Sequence, residues 1–364
     1  MKIGEKIKDL RKERNITQEK LAEYLNISCQ AVSKWENGTA APDLQLIVPL
    51  ANFFGVSTDE LLGKKDEKMQ TDLEEYRKKD SYLSCRGEVR KSIELWRSAV
   101  AKYPGNFESL CNLAYCLFGA KSSSDFSDDQ ETADVYINET IEICERILRD
   151  CTESCWRDGA RQMLVMIHGN PHYGHLDEKK ACAYAGEAPS IYCSADMLLM
   201  HAYPMNNEKY YVHQHRNSLT FIDCLTQNII CGDYKNEDDR IFACKTALNI
   251  WNSVIYDGNF LFYHCRISHI YLCLATSYAR KKEARAVMES LRKAKFHAEE
   301  VEKTPDGEIF YTSIFVNKTS HINEKCSKNY TGTNVDIIAD TLSRKEFDFL
   351  RRNSEFIAFL DSLK

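Results

Sequence analysis

Apolar residues recur with a helical period along the first 62 residues of the chain. Ile3, Ile7 and Leu10 are spaced at i, i+4 and i+7, which predicts a first helix. Two further short helices, joined by a tight turn, are predicted between residues 17 and 38. Their apolar positions fall on one face and are Leu21, Ala22, Leu25, Ile27, Val32 and Trp35. With a fourth helix ended by Gly55 and a short fifth helix, the pattern predicts a complete small domain.

The pattern beyond residue 70 is helical almost throughout. Pairs of amphipathic segments with short breaks between them recur at 92–118, 136–167 and 243–294. The stretch 121–130 is polar and predicts an exposed loop. The tail at 346–364 predicts a final amphipathic helix, or two short ones, that caps the helical array.

These patterns predict an all-α chain with two domains. A five-helix domain is expected at 1–63 and a larger array of helix pairs at 71–364. The polar, charged residues 64–70 predict a linker between them. Only 7 Pro and 15 Gly in 364 residues argue against a β-rich, turn-dense fold.

Composition also indicates the compartment. No run of 18 apolar residues occurs, so no membrane span is expected. The N-terminus has no apolar stretch of the kind found in secretion signals. The 15 cysteines are odd in number and scattered through apolar helical runs, which is typical of reduced, buried thiols. We therefore expect a cytoplasmic protein.

Charge is unevenly distributed. The chain carries a net charge of −6, whereas residues 1–64 are neutral overall. The first helix is nonetheless rich in Lys and Arg. A single neutral domain makes few phosphate contacts on DNA, so useful affinity requires two copies on one site. A homodimer is therefore expected.

The outward face of the third helix carries the most informative chemistry. After Ser28, this face presents small, amide and amine side chains, namely Cys29, Gln30, Ser33 and Lys34. Base edges in the DNA major groove display donors and acceptors that such groups can read. The pattern therefore predicts double-stranded DNA as a partner.

Residues 3–62 resemble the Xre/phage-repressor (Cro/C1-type) helix-turn-helix family. The matching residues are Ile3-Gly4, Leu10-Arg11, Thr17-Gln18, Leu21-Ala22, Ser33 to Gly38, Pro42, Leu50-Ala51 and Leu61-Leu62. The resemblance covers about a sixth of the chain. It implies that the third helix enters the major groove of a two-fold operator and that the second helix abuts the DNA backbone.

Several DNA contacts follow from this resemblance. Gln18 is expected at a phosphate or an outer base, and Thr17 as an N-cap with a possible phosphate contact. Gln30 can pair bidentately with adenine, which discriminates by about 1–3 kcal/mol. Lys34 is expected at a phosphate or a guanine edge, and the hydroxyl of Ser33 either donates or accepts.

The remaining positions of the family pattern are less regular. Cys29 departs from the polar side chain usual there and is expected to pack on a thymine methyl group rather than to read a base. Ser28 is a cap at the DNA-facing end of the third helix. Asn37 and Thr39 stand where backbone amides meet phosphate, although Asn37 is equally suited to end the helix.

The segment 103–106, Tyr-Pro-Gly-Asn, resembles a tetratricopeptide-repeat junction, where Pro ends one repeat and opens the next. A helix-turn-helix domain followed by such repeats is similar in architecture to the peptide-pheromone-sensing regulators of Gram-positive bacteria. The resemblance implies a bacterial transcriptional regulator whose helical domain senses a peptide or small ligand. Asn112, Asn249 and Asn252 lie on predicted helices and are candidates to hold that effector.

Catalysis has no support in the sequence. No HExxH, CxxC, Walker-type or GxSxG motif is present, so neither an enzyme nor a cofactor is expected. His168, His172 and His175 are close enough in sequence for a metal site, but their Gly- and Pro-rich segment favours an irregular loop between helices. An alternative function remains, in which the helical domain is a protein-interaction scaffold and the N-terminal domain only localises it.

Overall fold

The computed structural model describes residues 3–62, 67–328 and 330–363. Within these ranges the regular secondary structure is helical apart from one two-stranded antiparallel sheet, so the all-α prediction is confirmed. The helices are α1 Ile3–Glu13, α2 Gln18–Leu25, α3 Cys29–Glu36, α4 Leu44–Phe54, α5 Thr58–Leu61, α6 Glu67–Ser84, α7 Val89–Lys102, α8 Phe107–Ala120, α9 Gln130–Asp150, α10 Ser154–Gly169, α11 Glu178–Gly186, α12 Ala195–Ala202, α13 Glu208–Ile230, α14 Glu237–Val254, α15 His264–Arg280, α16 Ala284–Glu302, α17 Asn334–Leu342 and α18 Ser354–Asp361. The strands are β1 Glu308–Phe310 and β2 Ser320–Ile322, with Ile309 opposite His321.

The chain divides into two compact units, and the division falls at Glu74, inside α6. Of the predicted linker 64–70, residues 64–66 lie outside the described residues. Residues 67–70 form the first turn of α6. The domain limits that the sequence suggests, 63 and 71, remain predictions.

The N-terminal unit contains the five predicted helices. Thr17 caps α2 by accepting from the Lys20 amide at 3.2 Å, and Ser28 caps α3 through the Ala31 amide at 3.2 Å. Asn26 has a left-handed backbone (φ 54°) and makes the turn between them. Gly4 lies against the backbone of Trp35, where an added Cβ would be only 1.7 Å from the carbonyl oxygen. This glycine therefore lets α1 approach the C-terminal end of α3 closely.

The C-terminal unit is built by packing each helix on the next. Trp96 and Phe126 are buried in the core of α7, α8 and the following turn, and Trp251 is buried between α13, α14 and α15. The tail packs as predicted, since Phe356 of α18 lies in the core with α16 and α17. The loop prediction at 121–130 is wrong in part. Phe126 is 1% exposed beneath the Arg90 guanidinium, because an aromatic ring in a polar stretch still gains by burial.

A segment after β2, described at residues 323–328 and 330–333, connects the two ends of this unit. We call it the strap. The Ser81 hydroxyl of α6 donates to the Glu324 carbonyl at 2.9 Å, and the Lys328 amide donates to the Ser84 carbonyl at 2.8 Å. At its far end, Glu302 of α16 accepts from the amide of Asn334 at 3.0 Å. The strap therefore joins the first helices of the array to the last.

Among the described residues, none of the helices combines the length and the apolar character needed to cross a membrane. All 15 cysteines are described, and each is a free thiol.

Candidate nucleic-acid interface and ligand site

One face of helix α3 packs into the core of the N-terminal unit, and the opposite face is exposed to solvent. Val32 and Trp35 are buried in the core of the N-terminal unit. Gln30 and Lys34 are exposed and one helical turn apart, so both lie on the same outward side. An exposed amide and an exposed ammonium on a rigid helix are thus available to an external partner.

A buried ion pair holds the helices of this unit together. Arg11 of α1 donates from Nε to Glu36 Oε1 at 2.6 Å and from Nη2 to Oε2 at 2.8 Å. Gln18, the first residue of α2, donates from Nε2 to the same Oε2 at 2.8 Å. Burial tends to raise the pKa of Glu36, but the hydrogen bonds from Arg11 and Gln18 together outweigh it and hold the pKa below its usual value. The ionised Glu36 carboxylate therefore connects α1, α2 and α3.

Sequence reasoning missed the structural role of Glu36. The signal was present, because Glu36 follows Val32 by one helical turn and so falls on the core-facing side of α3. It also changes the interpretation of Gln18. The amide of Gln18 is held by Glu36, which orients the side chain at the start of α2.

Cys29 lies half-buried at the first turn of α3. Its thiol points toward Glu19 of α2, with Sγ 3.7 Å from Oε1. Desolvation and the charge of Glu19 raise the pKa of Cys29, so the thiol stays protonated at neutral pH. The structure gives this side chain a contact inside the helix-turn-helix, and its expected contact with a thymine methyl group stays a prediction.

The other predicted DNA-facing residues surround the two ends of α2 and α3. Thr17, Ser28, Asn37 and Thr39 are exposed, and Ser33 is half-buried. Asn37 donates to the Ser33 hydroxyl at 3.4 Å, and the Thr39 hydroxyl donates to the Lys34 carbonyl at 3.1 Å. These groups complete the caps and turns of the domain, and their roles at phosphate stay predictions.

Two of the three candidate metal-ligating histidines have ring nitrogens close to other groups. His168 is 4% exposed, donates from Nδ1 to the His175 carbonyl at 2.9 Å and stacks on Tyr184. His172 lies with Nε2 3.5 Å from the Ser122 hydroxyl. In the part of the chain that the structure describes, no three His, Cys, Asp or Glu side chains are grouped so as to hold a metal ion.

The structure separates the three candidate effector-binding asparagines into two cavities. Asn249 and Asn252 line a cavity of about 350 Å³ between α14, α15 and α16, together with Lys245 and Lys293. Asn112 lines another cavity, of about 370 Å³, between α6, α7, α8 and the strap. The amide nitrogens of Asn112 and Asn252 each donate to a carbonyl of their own helix, at 3.0 and 2.8 Å.

The N-terminal unit is similar in sequence to known proteins. A helix-turn-helix family model matches residues 7–61. The chain is 42% identical over 66 residues to the HTH-type transcriptional activator BcrR of Enterococcus faecalis, which is 18% of this chain and 32% of that protein. It is 39% identical over 75 residues to the HTH-type transcriptional regulator ImmR of Bacillus subtilis, or 20% of this chain and 59% of that protein. The similarity thus spans from about a third to somewhat over half of these relatives.

The larger part of the chain has a distant likeness among solved structures. A crystal structure of Bacillus thuringiensis PlcR in complex with the peptide PapR7 and DNA covers 83% of this chain and 95% of its own. The two chains are 14% identical, and the TM-score is 0.30.

Proposed function

We propose that the chain, whose residues 7–61 match a helix-turn-helix family model, is an Xre-type, sequence-specific DNA-binding transcriptional regulator. One observation carries the proposal. Gln30 and Lys34 are exposed on one side of α3, while Trp35 and Glu36 lock its other side to the rest of the domain. Rigid presentation of hydrogen-bonding groups is what readout of a base sequence requires.

In this proposal α3 lies in the major groove. Gln30 reads an adenine edge, and Lys34 contacts a phosphate or a guanine. Thr17, Gln18, Asn37 and Thr39 lie toward the sugar-phosphate backbone. Gln18 reaches it with an orientation set by Glu36, which reduces the entropy lost on binding.

The regulator acts as a homodimer on a two-fold operator. A neutral domain gains little from counterion release, so two copies are needed for useful affinity. Two half-sites about one helical turn apart would place both α3 helices on the same side of the duplex. The relatives are regulators of bacterial transcription, which supports a cytoplasmic location in a bacterium.

The helical-repeat unit senses a peptide or small ligand and adjusts the fit of the two DNA-binding domains to the operator. The two cavities lined by Asn112 and by Asn249 and Asn252 support a ligand-binding role, since both have volumes within the range of small-molecule sites.

The test is binding of the full-length protein to DNA upstream of its own gene, measured by fluorescence anisotropy at two salt concentrations. We expect sequence-selective binding that weakens with salt and is lost in the double variant Gln30→Ala plus Lys34→Ala. Asn52→Ala, which removes an exposed amide from α4, is the matched control. Binding that ignores sequence, or that survives the double variant, would instead favour the interaction-scaffold function.

A further inference from the structure

The cavity between α6, α7, α8 and the strap is lined by side chains of both charges. It combines an acid, Asp80 of α6, with a base, Lys328 of the strap. Ser92 and Asn112 add a hydroxyl and an amide, and Phe118 adds apolar surface. A ligand here meets both signs of charge within about 370 Å³.

Two polar atoms of this wall are buried without a partner. Asp80 Oδ1 and Ser92 Oγ have no hydrogen bond to any described residue, although Ser92 is only 2% exposed. Native proteins leave few buried polar atoms unpaired, because a buried polar group without a hydrogen bond destabilises the fold, and a charged group does so most. An ionised carboxylate only accepts hydrogen bonds, so the free oxygen of Asp80 can be satisfied only by a donor. A positively charged nitrogen makes the strongest such hydrogen bond.

The neighbouring groups do not supply that donor. Cys116 lies on the same wall, where burial and the charge of Asp80 raise its pKa, so it remains a neutral thiol. The ammonium of Lys328 stands over the Tyr330 ring, 6.0 Å from its centroid. Lys328 thus lines the cavity from the strap, and its ammonium makes no hydrogen bond with the buried Oδ1 of Asp80.

We propose that this cavity binds a short zwitterionic ligand, between an amino acid and a tripeptide in size, with its ammonium group at Asp80 and its carboxylate at Lys328. The hydroxyl of Ser92 and the amide of Asn112 hydrogen-bond the backbone amides between the two ends. The inference rests on the proposed function, because it locates and describes the effector that the regulator senses.

The proposed ligand site lies next to the hydrogen bonds that attach the strap to α6. Asp80 lies beside Ser81 on α6, and Ser81 and Ser84 are the residues that hold the strap. A ligand that bridges Asp80 and Lys328 adds a further link between α6 and the strap. Ligand binding therefore tightens the closure of the helical array.

The experiment offers the full-length protein a random tripeptide library and identifies retained masses by native mass spectrometry. Three versions of the library are compared: free termini, acetylated N-termini and amidated C-termini. We expect retention from the free library and a loss of about tenfold or more when either end is capped, the size of one charge-assisted hydrogen bond. Asp80→Asn is expected to abolish the preference for a free N-terminus, and Lys328→Met the preference for a free C-terminus. Glu75→Gln makes the same charge change on an exposed part of α6 and is the matched control.

Several outcomes overturn the proposal: no retention from the free library, equal retention of the capped libraries, or retention in which Asp80→Asn matches the control. The library comparison uses the unaltered protein, so a variant that fails to fold does not decide the result. DNA binding is measured separately. A protein that retains tripeptides but does not bind DNA would refute the proposed regulator and leave the ligand site standing.

Discussion

Arg11 and Glu36 form a two-bonded ion pair between α1 and α3, with nitrogen–oxygen distances of 2.6 and 2.8 Å. The side chains are 13% and 2% exposed, so water screens the pair little. Since Gln18 donates to the same carboxylate, one acid, Glu36, connects α1, α2 and α3.

Glu36→Gln is expected to destabilise the N-terminal unit by about 3–5 kcal/mol, because it leaves Arg11 buried without a counter-charge. Faster hydrogen exchange of the α3 amides in the full-length protein would report the loss. The double variant Arg11→Met plus Glu36→Leu should destabilise the unit less, since it removes both charges.

The stability that Glu36 contributes depends on pH. Because the folded pKa of Glu36 is lowered, its contribution to the free energy of unfolding is present above the unfolded pKa and is lost as pH falls through the folded pKa. Exchange rates in Glu36→Gln that match the original protein would contradict the role assigned to the pair.

Gln30→Ala and Lys34→Ala are expected to have different effects on DNA binding. Loss of the Gln30 amide should relax the preference at one base pair by about 1–3 kcal/mol. Loss of the Lys34 charge at a phosphate should weaken binding to all sequences and reduce the salt slope by about one. Binding curves on a set of single-base operator variants, at several salt concentrations, separate these effects. Identical profiles for the two variants would show that one of the two contacts is misassigned.

Gly87→Ala is expected to loosen the strap. Gly87 has a left-handed backbone (φ 71°), and an added Cβ would lie 2.1 Å from the Tyr330 carbonyl oxygen. Both strain and collision oppose the substitution, so we expect a destabilisation above about 1 kcal/mol. Hydrogen exchange over residues 323–333 measures it. Gly105→Ala is the control, since no atom lies within 4 Å of its Cβ position. Equal protection of the strap in both variants would rule out the close approach at Tyr330.

His297 is expected to make the helical unit acid-sensitive. Its Nδ1 is 2.7 Å from Nδ1 of His264, and burial, with a smaller effect from His264, lowers its pKa to about 4. A histidine whose folded pKa is below the unfolded value of about 6.5 stabilises the fold above pH 6.5 and loses that stability as pH falls toward 4. Chemical denaturation between pH 4 and 7 should show this slope, and His297→Asn, which keeps a hydrogen-bonding group near Nδ1, should reduce it, the rest coming from His264 and His269, whose pKa values burial also lowers. An unchanged slope in that variant, as expected for the exposed control His201→Asn, would exclude His297 as the source.

The sequence predicts the N-terminal unit well because its signals are local. The caps at Thr17 and Ser28 and the helical period of Val32 and Trp35 involve residues within a few positions of each other. Each of these signals can be recognised from neighbouring residues alone, without knowing how the rest of the chain packs. The family resemblance adds the positions predicted to face DNA, because Gln30 and Lys34 fall at its fixed spacing.

The helical unit is predicted only in outline. Asn112 and Asn249 have the same residue type and the same helical context, yet they line different cavities. The acid and base that share a cavity, Asp80 and Lys328, are nearly 250 positions apart, and no periodicity relates them. The burial of Phe126 in a polar stretch has the same cause, since its partner Arg90 comes from another helix.

The strap also determines when this protein finishes folding. Helix pairs such as α7 and α8 contain their own partners and can form as soon as they leave the ribosome. The bond between Ser81 and Glu324 joins residues 243 positions apart, so α6 obtains it only after residue 324 has been synthesised. Closing so long a loop is slow relative to local helix pairing. A nascent chain therefore holds an unfinished helical array until the strap emerges from the ribosome, and premature termination before residue 324 would leave that array open.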